Sequence, residues 1–218
     1  MISTPPVRLL KGAETRSFRK GDLLSESDGP MPGVFWLAEG YVRVYSLRTS
    51  GERNLHIMHR PGDLFPLENY GERPDPEAPE LYYEAMNAVT VTVLEQERLR
   101  RLAGSDLEVA RYLMDQMTER LRHYTNRVEN LEVARAADKV VYRLLTLMRR
   151  LGRPAADGSV VIDAPVTQQD IADSLNMIRE TASREIERLA ARGIVGYRDR
   201  KLVILRPHTL RDERESQF

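Results

Sequence analysis

The segment Arg179-Glu-Thr-Ala-Ser-Arg184 holds side chains whose types and spacing fit the edges of DNA base pairs. Arginine suits the O6 and N7 acceptors of guanine, and glutamate suits the amino group of cytosine. On a helix, Arg179, Glu180, Ser183 and Arg184 fall on adjacent rows, away from Ala182, Ile186 and Leu189, which form its apolar side. Glu180 and Arg184 also have the spacing of an ordinary exposed i,i+4 pair, worth roughly a few tenths of a kcal/mol. The motif alone leaves both readings open, and the segments around it decide between them.

Thr167-Gln-Gln-Asp170 reads as a capping box that opens a short helix containing Ile171, Ala172 and Leu175. Asn176 follows where a tight turn needs a positive φ, and a second helix starts near Arg179. Gly193 ends that helix, Ile194 and Val195 enter a strand, Arg198-Asp-Arg-Lys201 makes a basic turn, and Leu202 to Leu205 returns. This is the outline of a winged helix-turn-helix, whose second helix presents its N-terminal residues to the major groove. Between Arg179 and Arg206 eight basic residues face four acidic ones, which gives the local excess that a phosphate-contacting surface needs. Thr167, Gln168, Thr181, Arg188, Arg198, Arg200 and Lys201 are the candidates for backbone contact.

Other chemistries find less support. There are no cysteines, which removes disulfides, thiolate zinc sites, cysteine-ligated iron-sulfur clusters and thiol redox sensing. His56 and His59 are three apart in a predicted strand and point to opposite faces, so they do not chelate without a bulge. His123 and His208 are expected at the surface. A cupin-like barrel metalloenzyme is the alternative of another class, but it needs a histidine and carboxylate set that the sequence lacks, so neither enzymatic activity nor a metal or other cofactor is expected. No run of about 18 uncharged apolar residues suits a membrane, and Met1 to Leu10 has no signal-peptide pattern, so the expected location is the cytoplasm. Net charge is zero, with 33 basic and 33 acidic residues, but from Asp138 onward 15 basic residues outnumber 12 acidic ones.

The predicted fold is α+β, in three parts. Residues 1–104 form a β-roll of sensor type, a double-stranded β-helix or jelly roll. Short strands at Val34–Ala38, Tyr41–Leu47, Asn54–His59 and Ala88–Leu94 are punctuated by Gly21, Gly40, Gly51 and Gly62. Pro66 to Glu80 reads as a long proline-rich surface loop. Residues 105–137 form a long dimerisation helix and hinge. Leu107, Ala110, Met114, Met117, Leu121, Tyr124, Val128 and Leu131 follow steps of three and four, a narrow a/d seam that calls for a partner helix. A long helix packed on its own barrel normally shows a wider stripe, and here Arg111, Asp115, Glu119, Arg120, Arg122, Arg127 and Glu132 flank the seam. Residues 138–218 form the winged helix-turn-helix domain, with Asp138 as N-cap of its first helix and a hairpin turn at Ala155 to Ser159.

With these parts in place, the chain resembles the CRP/FNR superfamily of transcription regulators, of cyclic-AMP-receptor and anaerobic-regulator type, over nearly its whole length. Arg179 to Arg184, Gln116-Met-Thr-Glu-Arg-Leu121, Val128-Glu-Asn-Leu131, and the barrel glycines Gly21-Asp22, Gly40, Gly51 and Gly62-Asp63 carry the resemblance. Glu180, Ser183 and Arg184 match the base-reading pattern of the anaerobic-regulator branch, and Arg179 matches an arginine of the cyclic-AMP-receptor branch. The resemblance implies a homodimer on double-stranded DNA with palindromic half-sites containing TGA, of which TGTGA is one form. It implies RNA polymerase as a partner, with the Ala155 to Ser159 hairpin on the surface that family activators use. One residue departs from the pattern: Ile178 stands where serine or threonine is common, and the missing cap costs about 1 kcal/mol of helix stability.

The cyclic-nucleotide clamp of the family is absent. Gly62-Asp63-Leu64-Phe65 runs into Pro66-Leu67, and Pro79-Glu80 occupies the register where an arginine and a serine would bind phosphate. A carboxylate there reverses the sign of the local field, so the effector is expected to be something other than cyclic AMP, or none. A small-ligand- or haem-dependent sensor of the same family is the alternative. Phe65, Leu67, Arg73, Tyr82 and Tyr83 are candidate pocket residues that equally suit barrel core or loop packing.

Overall fold

The structure is a computed structural model and describes residues 4–24, 33–67, 79–133 and 135–215, leaving out the side chains at 131, 132, 214 and 215. The chain divides into two units, residues 1–47 with 56–124, and residues 48–55 with 125–218. Arg73 and most of the proline-rich stretch lie outside the described residues.

The first unit begins with α1 (Val7–Leu10), β1 (Glu14–Phe18), β2 (Val34–Glu39), β3 (Val42–Leu47) and, from His56 onward, β4 (Arg53–His59). β5 (Leu64–Phe65), β6 (Tyr82–Ala85), β7 (Val89–Leu94), α2 (Gln96–Ser105) and the start of α3 (Leu107–Glu132) follow. The strands form two sheets, β1-β7-β2-β5 and β4-β3-β6, whose recorded pairings are antiparallel. Successive side chains of β2 point to opposite faces, yet both faces are covered. Phe35 and Leu37 enter a core with Val44, Ile57, Tyr83 and Val91. Val34 and Trp36 join a second cluster with Leu64, Leu99, Val109 and Leu113. That double burial explains the unbroken apolar run Val34-Phe-Trp-Leu37, where a half-solvated strand would alternate. Gly40 closes the β2–β3 turn at φ 84°, and a Cβ there would stand 2.2 Å from the Ala88 carbonyl oxygen, so only glycine fits.

Helix α3 is two-faced. Val109, Tyr112 and Leu113 are buried, while Gln116 and Arg120 bond the β4–β5 turn. The Tyr112 hydroxyl and Gln116 Nε2 each donate to the Gly62 carbonyl at 3.0 Å, and Arg120 donates to the Leu64 carbonyl at 3.0 Å. Burial pushes the Tyr112 phenol up to about 12, so it remains a donor throughout the ordinary pH range. The expected charged flank is therefore corrected at Arg120, which faces the barrel. His123, expected at the surface, is buried with its Nε2 3.1 Å from the His56 carbonyl. The a/d seam lies on a separate face: Leu107, Met114, Met117, Leu121, Tyr124 and Val128 are all exposed, with Leu121 at 67%.

The second unit holds the end of α3, then α4 (Ala136–Leu151), β8 (Gly152–Pro154), β9 (Val160–Ile162), α5 (Gln168–Leu175), α6 (Arg179–Ala191), β10 (Val195–Arg198), β11 (Lys201–Ile204) and α7 (Pro207–Glu215). Its sheet runs β10-β11-β9-β8 with antiparallel neighbours. Helix α4 starts earlier than expected: Arg135 is its N-cap and Asp138 sits in its first turn, where a carboxylate still favours the helix dipole. The helix stops at Gly152, where a Cβ would lie 2.2 Å from the Met148 carbonyl oxygen. Val140, Leu144, Leu147 and Ile162, with Ile171, Ala182, Ile186 and Leu189 of α5 and α6, are at most 2% exposed.

Candidate nucleic-acid interface

Local chemistry sets the geometry of α5 and α6. Thr167 accepts from the Asp170 amide at 3.1 Å, and Asp170 Oδ2 accepts from the Thr167 amide at 2.8 Å, so the capping box is complete. Asn176 ends α5 in the left-handed region at φ 55°, ψ 42°, where asparagine is tolerated better than most side chains. Two residues later Ile178 stands as the N-cap of α6, and its side chain makes no capping bond. Ala182, Ile186 and Leu189 anchor one side of α6, which leaves the opposite side to solvent.

Arg179, Glu180 and Arg184 are exposed on that side. Glu180 and Arg184 do not form the i,i+4 pair their spacing permits, and among the described residues no salt bridge engages any of the three. Ser183 is half-buried between the helices, with its hydroxyl 3.0 Å from Gln168 Oε1 and 2.9 Å from Glu187 Oε1. Gln168 Nε2 also reaches the Tyr197 hydroxyl at 3.4 Å, which links the start of α5 to the wing strand.

The basic residues around this face are mostly paired. Arg188 lies 3.4 Å from Glu185, Arg198 lies 2.9 Å from Asp157, and Lys201 lies 2.8 Å from Asp163. The Ser159 hydroxyl, followed by Arg198 and the Ser159 amide, holds the Asp157 carboxyl far below the usual carboxylate range. The wing turn places Asp199 at φ 49° and Arg200 at φ 62°, and Arg200 is exposed. Thr181 is half-buried beside Ala182.

A family model described as the Crp-like helix-turn-helix domain matches residues 138–213, a span that contains the whole of this geometry. The chain is 29% identical to the nitrogen fixation regulation protein FixK of Azorhizobium caulinodans over 189 residues, 87% of this chain and 74% of that one. FixK2 of Bradyrhizobium japonicum superposes with a TM-score of 0.73 at 29% identity, covering 92% of this chain and 96% of its own. A transcriptional regulator of the CRP/FNR family from Thermus thermophilus gives a TM-score of 0.70 at 25% identity, with coverage of 94% and 100%. The chain is a DNA-binding transcription regulator with a Crp-like helix-turn-helix domain, similar over most of its length to regulators of the CRP/FNR type.

In the first unit of the regulator the candidate pocket residues separate. Phe65 and Tyr83 stack in the inter-sheet core with centroids 5.8 Å apart, whereas Leu67 belongs to the cluster under α2 and α3. Tyr82 stacks on Tyr45 at 5.4 Å and donates to Glu80 at 2.8 Å. His59 is buried, stacked 4.3 Å from Phe65 and 3.3 Å from Asp63, while His56 bonds Ser46. No group of three or more side chains suited to a metal ion occurs among the described residues, and no described helix is long and apolar enough to cross a membrane.

Residue spacing had not exposed two structural roles in α3. Tyr112, Gln116 and Arg120 clasp the Gly62–Leu64 turn. Within the second unit, Arg127 donates to the Leu55 carbonyl at 2.6 Å, Asn54 Oδ1 at 2.8 Å and the Ser174 carbonyl at 3.1 Å. The signal was a second three-and-four stripe through Val109, Tyr112, Gln116, Arg120, His123 and Arg127, masked because its later members are polar.

Proposed function

We propose that this regulator acts as a homodimer that reads a palindromic DNA site with TGA-containing half-sites, Arg179, Glu180, Ser183 and Arg184 of α6 touching the bases. The observation that carries the reading is the unpaired set Arg179, Glu180 and Arg184 on the open side of a helix fixed by a capped α5 and a left-handed Asn176. Charged side chains with neither burial nor a partner retain their full hydrogen-bonding capacity for guanine and cytosine edges. Arg200 supplies an open phosphate contact, while Arg188, Arg198 and Lys201 exchange a carboxylate for a phosphate on binding; Thr167, Gln168 and Thr181 add polar contacts beside them.

The exposed stripe of α3 formed by Leu107, Met114, Met117, Leu121, Tyr124 and Val128, together with Ala110 and Leu131, supplies the dimer seam. An unpartnered apolar stripe at heptad spacing is the pattern of a helix that pairs with another. The regulator works in the cytoplasm without a catalytic step, changing transcription by contact with RNA polymerase or by occluding promoters. Glu80 beside the β6 strand offers a cyclic phosphate a carboxylate, which supports an effector other than cyclic AMP, or none.

Arg184→Ala tests the reading of bases. On a preferred duplex it should cost about 1–3 kcal/mol and relax preference at one base pair. Equal losses on preferred and random DNA would reduce Arg184 to a phosphate contact and refute its base-reading role.

A further inference from the structure

Ile178 is 64% exposed, whereas Ile171, Ala172, Leu175, Ala182, Ile186 and Leu189 of the flanking helices are all at most 1% exposed. It stands at the N-cap of α6, with its carbonyl accepting from the Thr181 amide at 3.1 Å and its side chain capping nothing. Serine, threonine, aspartate or asparagine would stabilise the helix at this position, and an exposed branched aliphatic gains nothing from packing within the unit. Neither capping nor core formation accounts for the residue. Arg179 and Glu180 follow it directly in the chain, at the N-terminal end of α6, the end that a recognition helix presents to the major groove.

The apolar feature of the major groove is the C5-methyl group of thymine. We infer that Ile178 is a specificity-determining residue that packs on a thymine methyl, next to the base pairs read by Arg179 and Glu180. The inference rests on the base-reading role proposed for α6. In free protein Ile178 leaves the start of α6 uncapped; in the complex its side chain and the methyl group remove each other from water.

The test uses the full-length protein and the duplex that it recovers from random DNA, with each thymine of one half-site replaced in turn by deoxyuridine, which lacks only the methyl group. At one position, uracil should weaken the wild type about fourfold, the size expected for losing one buried methyl. Ile178→Ala should bind the thymine and uracil duplexes equally there. Ile178→Ser, which also restores an N-cap, should lose the same sensitivity whatever it does to overall affinity. Uracil effects identical in wild type and both variants at every position would overturn the inference while leaving the α6 reading intact. Recovery of no preferred duplex at all would overturn both.

Discussion

Arg143 lies on α4 with Nε and one Nη buried and without hydrogen-bond partners. Burial first, then the charges of Arg127 and Arg150, lower its pKa to about 9 against the opposing pull of Asp170. A cation whose folded pKa lies below its unfolded one disfavours folding when protonated, so the penalty is present across the neutral range and fades only above about pH 9. Arg143→Met should therefore raise stability by about 1 kcal/mol or more, read as a higher urea midpoint; a lower midpoint would show that the charge is compensated within the fold. Asp157 presents the opposite case. Its lowered pKa makes the Arg198 clasp complete above the ordinary carboxylate range and persistent as pH falls well below it. Asp157→Asn should release Arg198 and tighten binding to all DNA sequences, an effect that Arg198→Ala abolishes; unchanged affinity would show that Arg198 does not contact phosphate. Residues governed by local chemistry were legible in advance. Thr167, Asp170, Asn176 and Ile178 behave as their types and spacing require, because caps and turns depend on neighbours a few residues away. His123 was not, because its burial depends on a strand that lies 67 residues away in sequence.

At the scale of elements, the capping box of α5 carries a measurable load. Thr167→Ala should destabilise the protein by about 1 kcal/mol and weaken DNA binding with it, since α5 and Gln168 support Ser183 of α6; calorimetry showing no loss would make the box decorative. Strands β2, β3, β4 and β7 and the winged unit were legible from β-branched and aromatic enrichment, glycine turns and caps, with Val34, Val42 and Val89 opening strands close to their expected starts, whereas β1, β5 and β6 were not. Helix α3 was half legible. Its a/d stripe is apolar throughout and stands out, but its second face ends in Gln116, Arg120, His123 and Arg127, which composition assigns to solvent. Those side chains are held by backbone carbonyls of the β4–β5 turn and of β4, and sequence spacing does not record such carbonyls. The same limit applies to Phe65, Leu67 and Tyr83: aromatic and aliphatic residues suit a cavity and a packed core equally, and only tertiary contacts put Phe65 and Tyr83 in one core cluster and Leu67 in another.

For the whole molecule the question is how two copies meet and what they read together. Leu121, 67% exposed near the middle of the α3 stripe, is the position where a charge does most harm to a helix pair. Leu121→Asp should sediment as a monomer and lose most of its operator affinity, because two linked half-sites bind far more tightly than one. A dimer unaffected by the change would place the interface elsewhere. In the proposed homodimer, two α6 helices related by its axis should reach major grooves about one helical turn, roughly 34 Å, apart. Selection of preferred sites from random duplex DNA by the full-length protein, with and without a cell extract that can supply an effector, tests that symmetry. A homodimer reading through α6 should recover a two-fold symmetric sequence with TGA in each half and half-site centres about 10 base pairs apart. Recovery of asymmetric or unrelated sequences under both conditions would contradict that reading.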